Sequence, residues 1–164
     1  MDIECRQGDI TAQTDLDAIV NAATARLATG GGVAGAIHRA AGPELARECA
    51  PLAPIKPGQA VLTGGHDLPN KHVIHCLGPV YGRDHPADRL LADCYRNALV
   101  IADRAGLRSL GFPALSTGAF RYPMDDAAAV ALATVVAEGP RLTHLRRVRF
   151  VPFAGSPLSS HPPP

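Results

Sequence analysis

The feature that most constrains how this chain folds is its alternation of short apolar runs with longer helix-patterned stretches. Ile3–Arg6, Ala18–Ala22, Ala60–Thr63, His72–Cys76, Ser109–Phe112 and Val148–Val151 have the length and apolar character of strands. Helices fit between them. Arg89–Ala105 places Leu90, Leu91, Cys94, Tyr95, Ala98, Leu99 and Ala102 on one broad apolar stripe, which predicts an amphipathic helix. Asp125–Glu138 follows Pro123 and opens with aspartates, where the helix dipole favours negative charge. Gly35–Ala41 and Glu44–Cys49, the latter after Pro43, predict two shorter helices. Strands alternating with helices imply an α/β layered domain around a largely parallel sheet. In such a sheet, ligands sit beyond the carboxyl ends of the strands.

The 164 residues suit one domain, expected over residues 1–153, and the Pro/Ser-rich "AGSPLSSHPPP" at 154–164 predicts a disordered tail. A net charge of +1 makes no broad electrostatic claim on nucleic acid or on an anionic membrane. No apolar run is long enough to span a bilayer, and the acidic start "MDIECRQGD" is no signal peptide. Cys5, Cys49, Cys76 and Cys94 form no C-x-x-C pair and read as reduced thiols of a cytoplasmic protein.

Two loops at the expected ligand edge carry the chemistry. The first runs from Asn21, at the end of "DAIVNAA", to Gly35, and delivers Gly30, Gly31 and Gly32 to the start of the helix that holds His38. Bare N–H groups at a helix N-terminus make an anion site, and the dipole reinforces it. The second, Ser116-Thr117-Gly118-Ala119-Phe120, repeats the arrangement: an apolar strand, small polar residues with a glycine, then a helix. Two such loops at one sheet edge are the signature of a diphosphate ligand. Each is also compatible with an ordinary turn.

Other phosphate and catalytic patterns fit less well. No lysine follows the glycines, so the P-loop pattern fails. G-x-G-x-x-G does match at Gly30, Gly32 and Gly35, but Ala23 to Thr29 separate it from the strand end, where a dinucleotide fingerprint begins. His72 and His75, three apart in a strand, face opposite sides and cannot share a metal. Ser116 lies in no G-x-S-x-G elbow. Arg146, Arg147 and Arg149 are expected on a solvated strand rim rather than against nucleic acid.

Taken in order, "QGDIT", "DAIVNAA", "GGGVAGAIHRAAGPEL", "GQAVLTGGHDLPNKHVIHCLGPVY" and "FPALSTGAFRYP" resemble the motifs of the macrodomains, which bind ADP-ribose. The resemblance covers nearly all of residues 3 to 153. It implies a three-layer α/β/α sandwich with a central mixed, mostly parallel sheet of about six strands. It also implies that Asp9 accepts from the adenine amino group, with the Ile10 backbone reading the ring edge. Asn21, Gly31, Gly32, Val33 and the backbone of Ser116, Thr117, Gly118 and Ala119 would bind the rest of the ligand. Phe120 would close over the distal ribose, and Phe153 would stack on adenine.

Departures from the family's pattern bear on catalysis. Thr24 stands where the second Asn of N-A-A-N is usual, and Ala34 where one hydrolytic branch places Asp. Loops reading GGGVA belong to branches that use the ligand's own phosphate to position water. The resemblance therefore implies an ADP-ribosyl hydrolase, or an O-acetyl-ADP-ribose deacetylase, that works by ligand placement. Thr24 and Phe120 would do the placing, and His38 would polarise or position the distal ribose, or else serve only as a packing residue. The alternative is a non-catalytic reader of ADP-ribosylated protein or nucleic acid. Neither reading calls for a cofactor or a metal.

Overall fold

The computed structural model describes residues 1–152, so Phe153 and the expected tail at 154–164 lie outside the described residues. Six strands, β1 (Asp2–Cys5), β2 (Ala18–Ala22), β3 (Ala60–Gly64), β4 (His72–Cys76), β5 (Ser109–Phe112) and β6 (Arg147–Phe150), form one sheet in the order β1-β6-β5-β2-β4-β3. Neighbours are parallel except β3 and β4. That pair is joined through residues 65–71, too few for the crossover that a parallel pair requires. Four helices, α1 (Gly32–Ala41), α2 (Pro43–Cys49), α3 (Ala87–Arg104) and α4 (Met124–Glu138), complete the domain.

The period-two alternation of the strands sorts their side chains between two cores. Val20, Ile74, Leu110, Phe112 and Val148 pack with Leu91, Cys94, Tyr95 and Leu99 of α3 and with Ala127, Ala131 and Val135 of α4. Ile19 and Val73 point the other way, onto Ile37 and Ala41 of α1 and Leu45 and Cys49 of α2. The result is the expected α/β/α sandwich. Fully burying one such aliphatic side chain contributes about 1.5–3 kcal/mol.

Helix α1 begins at Gly32, three residues before the glycine that the sequence pattern favours. Gly32 itself has φ +56°, a left-handed value that glycine adopts without strain. Gly35 answers a different need. A Cβ there would sit 2.3 Å from the Gly30 carbonyl oxygen, so only a bare backbone lets the loop lie against the first turn. On β6, which lies between β1 and β5, Arg149 departs from the rim expectation. It is 1% exposed, because Glu4 and Asp15 pair with its guanidinium and draw it inward.

Candidate ligand cleft

The carboxyl ends of β2, β5 and β6 open into a cleft of about 970 Å³. Asp9, Ile10, Thr24, Gly31, Gly32, Val33, Ser116, Thr117, Gly118, Ala119 and Phe120 all line it. Asn21 and His38 do not, and Phe153 is outside the described residues. The walls also include Ala22, Ala23, Ala34, Ala36, Gly78, Pro113 and Met124, small or unbranched residues with no chemistry for a sequence reading to find.

Among the described lining residues there is no lysine or arginine. A bound anion would have to be held by backbone N–H groups and helix dipoles. The two helices that enter the cleft differ here. Helix α4 carries Asp125 and Asp126 in its first turn, which already complement its dipole. Helix α1 has no acidic residue in its first turn, and its N-cap, Gly31, offers no side-chain cap. Its positive end has no side-chain counter-charge or cap. Across from it, Ser116 adopts φ +66° and is buried with its hydroxyl unpartnered among the described residues. The loop keeps its shape through bonds from Tyr122 N–H to Ser116 C=O at 2.8 Å and from Arg121 N–H to Gly118 C=O at 3.0 Å. Tyr81 N–H donates to the Phe120 carbonyl at 2.8 Å and ties Phe120 to the segment after β4.

Also in the cleft lining, Asp9 caps a short 3-10 turn over Ile10–Ala12. Its Oδ1 accepts from the Thr11 hydroxyl at 2.7 Å and from the Thr11 N–H at 2.9 Å. These bonds hold the carboxyl below its ordinary pKa, so Asp9 stays anionic. Its Oδ2 has no partner among the described residues and can accept from a ligand.

Asn21, His75 and Thr63 form a buried polar cluster outside the cleft lining. Asn21 Nδ2 donates to His75 Nδ1 at 3.0 Å, which leaves the proton of neutral His75 on Nε2, facing the Thr63 hydroxyl at 2.9 Å. Burial, with a smaller effect from His38, lowers the His75 pKa to about 4. Burial also lowers the pKa of His38, whose two ring nitrogens have no partner among the described residues. Asn21 is thus turned toward His75 rather than into the cleft. Thr24 does face it, with its hydroxyl oxygen accepting from the Ala28 N–H at 3.3 Å and its proton free to donate.

The profile of the Macro domain family matches residues 20–131 of the chain. The chain belongs to the macrodomain family. An O-acetyl-ADP-ribose deacetylase of Klebsiella pneumoniae is 48% identical over 151 residues, covering 89% of this macrodomain and 86% of the relative. An ADP-ribose glycohydrolase of Xenopus laevis is 48% identical over 133 residues, covering 79% of this chain and 31% of that one. The macrodomain of Oceanobacillus iheyensis, solved with ADP, superposes with a TM-score of 0.88 at 40% identity, covering 93% of this chain and 84% of that chain. The fold and the α1 loop therefore belong to a family whose solved members include one with a nucleoside diphosphate bound.

Proposed function

We propose that this macrodomain binds ADP-ribose in the cleft and hydrolyses a bond to its distal ribose. It would either remove mono-ADP-ribose from a modified macromolecule or deacetylate O-acetyl-ADP-ribose. The observation that carries the reading is the pair of loops: an uncapped α1 N-terminus and a second, backbone-lined loop share one cleft, with no lysine or arginine among its described lining residues. A diphosphate fits that arrangement, and the deacetylase and glycohydrolase relatives support chemistry at the attached ribose. In this reading Asp9 receives the adenine amino group. Gly31, Gly32 and Val33 with Ser116–Ala119 hold the phosphates, and Phe120 covers the distal ribose. Thr24 donates to a ribose hydroxyl.

No carboxylate stands at Ala34, so positioning must supply the barrier reduction, and alignment alone is worth about 7–11 kcal/mol in favourable cases. A second reading, a non-catalytic reader, is favoured by Thr24 and Ala34 together. Incubation with mono-ADP-ribosylated protein, with ADP-ribosylated DNA and with O-acetyl-ADP-ribose separates the two. Slow release of ADP-ribose or acetate is expected from at least one substrate. Tight binding without release from any of them would make the protein a reader.

A further inference from the structure

A guanidinium 1% exposed needs a reason even where its carboxylate partners Glu4 and Asp15 stay 34% and 49% exposed, because burying the charge costs solvation that the pairing need not return in full. Arg149 is committed on every side. Its Nε donates to Glu4 Oε1 at 2.7 Å, and its Nη1 and Nη2 grip both oxygens of Asp15 at 2.8 and 2.7 Å. One further bond leaves the ionic cluster: Nη1 donates to Gln13 Oε1 at 2.8 Å. Gln13 is itself 8% exposed, and its Nε2 donates to the Asp9 carbonyl oxygen at 2.8 Å. Behind it, Asn70 Nδ2 donates to the Gln13 carbonyl at 2.8 Å and to that of Leu16 at 2.7 Å.

The direction of the Gln13 carboxamide follows from chemistry. A guanidinium has donors and no acceptor, so only the oxygen end of the amide can face it. The NH₂ end is therefore turned onto Asp9. An apolar residue at 149 could fill the same space, but it could not orient Gln13.

We propose that Arg149 and Gln13 are positioning residues for the base of the ligand: they fix the Asp9–Ile10 turn from behind, so preference for a 6-amino purine depends on a buried cluster that lines no part of the cleft. This rests on the reading of the cleft as an ADP-ribose site.

The test is calorimetric titration of ADP-ribose and of its 6-oxo analogue, inosine diphosphate ribose, into the wild type and into Gln13→Leu, Gln13→Glu and Arg149→Met. The wild type should prefer ADP-ribose. Gln13→Leu should weaken ADP-ribose by about 3- to 10-fold, the worth of one hydrogen bond, and leave the analogue nearly unchanged. Gln13→Glu keeps an acceptor for Arg149 but has no donor for the Asp9 carbonyl, so it should lose the preference just as Gln13→Leu does. The Gln13 variants decide even where Arg149→Met fails to fold, because they leave the pairs of Arg149 with Glu4 and Asp15 in place. An equal loss for both nucleotides would mean general damage and overturn the positioning role. So would unchanged affinities in folded variants, or a wild type that binds both nucleotides equally. A wild type that binds neither would overturn the ADP-ribose reading itself.

Discussion

At Ala34 the first turn of α1 presents a methyl group to the cleft, four residues before His38, whose ring nitrogens have no partner among the described residues. Positions four apart share a helix face, and the longer side chain leans back over the preceding turn. An aspartate at position 34 would therefore gain His38 as a hydrogen-bond partner while placing a carboxylate at the cleft wall. Ala34→Asp, combined with Thr24→Asn, is expected to raise the rate of ADP-ribose release about 10-fold or more, because a placed general base contributes at least that much. Single-turnover release assays on the wild type and the double variant check this. An unchanged rate would mean that the new carboxylate does not reach the water. Asp9 and Ser116 were legible as cleft-lining residues because they lie in quoted motifs, and Thr24 because it stands at the position where N-A-A-N has its second Asn. The fates of Asn21 and Arg149 were not. Their partners His75 and Asp15 are remote in sequence, and only the folded sheet brings them together.

The glycine loop acts as an element, and its glycines do different work. At Gly32 a Cβ would meet nothing within 4 Å, whereas at Gly35 it would run into the backbone of Gly30. Gly32→Glu is therefore expected to leave the domain folded, at a cost of about 1–2 kcal/mol for its left-handed φ. It should abolish ADP-ribose binding, because the new carboxylate opposes the phosphates. Gly35→Ala is expected to damage the fold as well, by about 1–3 kcal/mol of overpacking against a carbonyl that cannot retreat cheaply. Urea unfolding and calorimetry on the two variants separate the roles. Tight binding by a folded Gly32→Glu protein would remove the diphosphate from this loop. Strand positions were legible to within about a residue or two, since apolar runs mark them directly. The start of α1 was not, because glycines carry no periodic signal and their place in the first turn is set by contact with Gly30.

At the scale of the whole molecule, the sandwich buries His75 at its centre, between the sheet and helices α1 and α2, and this ties stability to pH. The folded pKa of His75 lies at about 4, lowered by burial first and by His38 second, against an ordinary 6.5, with Glu48 offsetting a little. The unfolded imidazole takes its proton first as pH falls. Between about pH 6.5 and 4 the unfolded chain thus holds more protons, and stability rises with pH across that window. The contribution is intact above about pH 6.5 and is lost as pH drops toward 4, to an extent of roughly 3 kcal/mol. His38, lowered by burial, acts in the same direction. Asp15 is held low by the Arg149 guanidinium, and Asp103 by three backbone N–H groups despite its desolvation. Their stabilisation is lost only as the ordinary carboxylate range is reached, below about pH 4.5. The decline between pH 6.5 and 5 therefore belongs to the two histidines. Urea midpoints measured at pH 7 and pH 5 should show it in the wild type, and His75→Gln should have a shallower slope even if it is less stable throughout. A wild-type midpoint that does not move over that interval would mean that His75 already binds a proton in the folded protein.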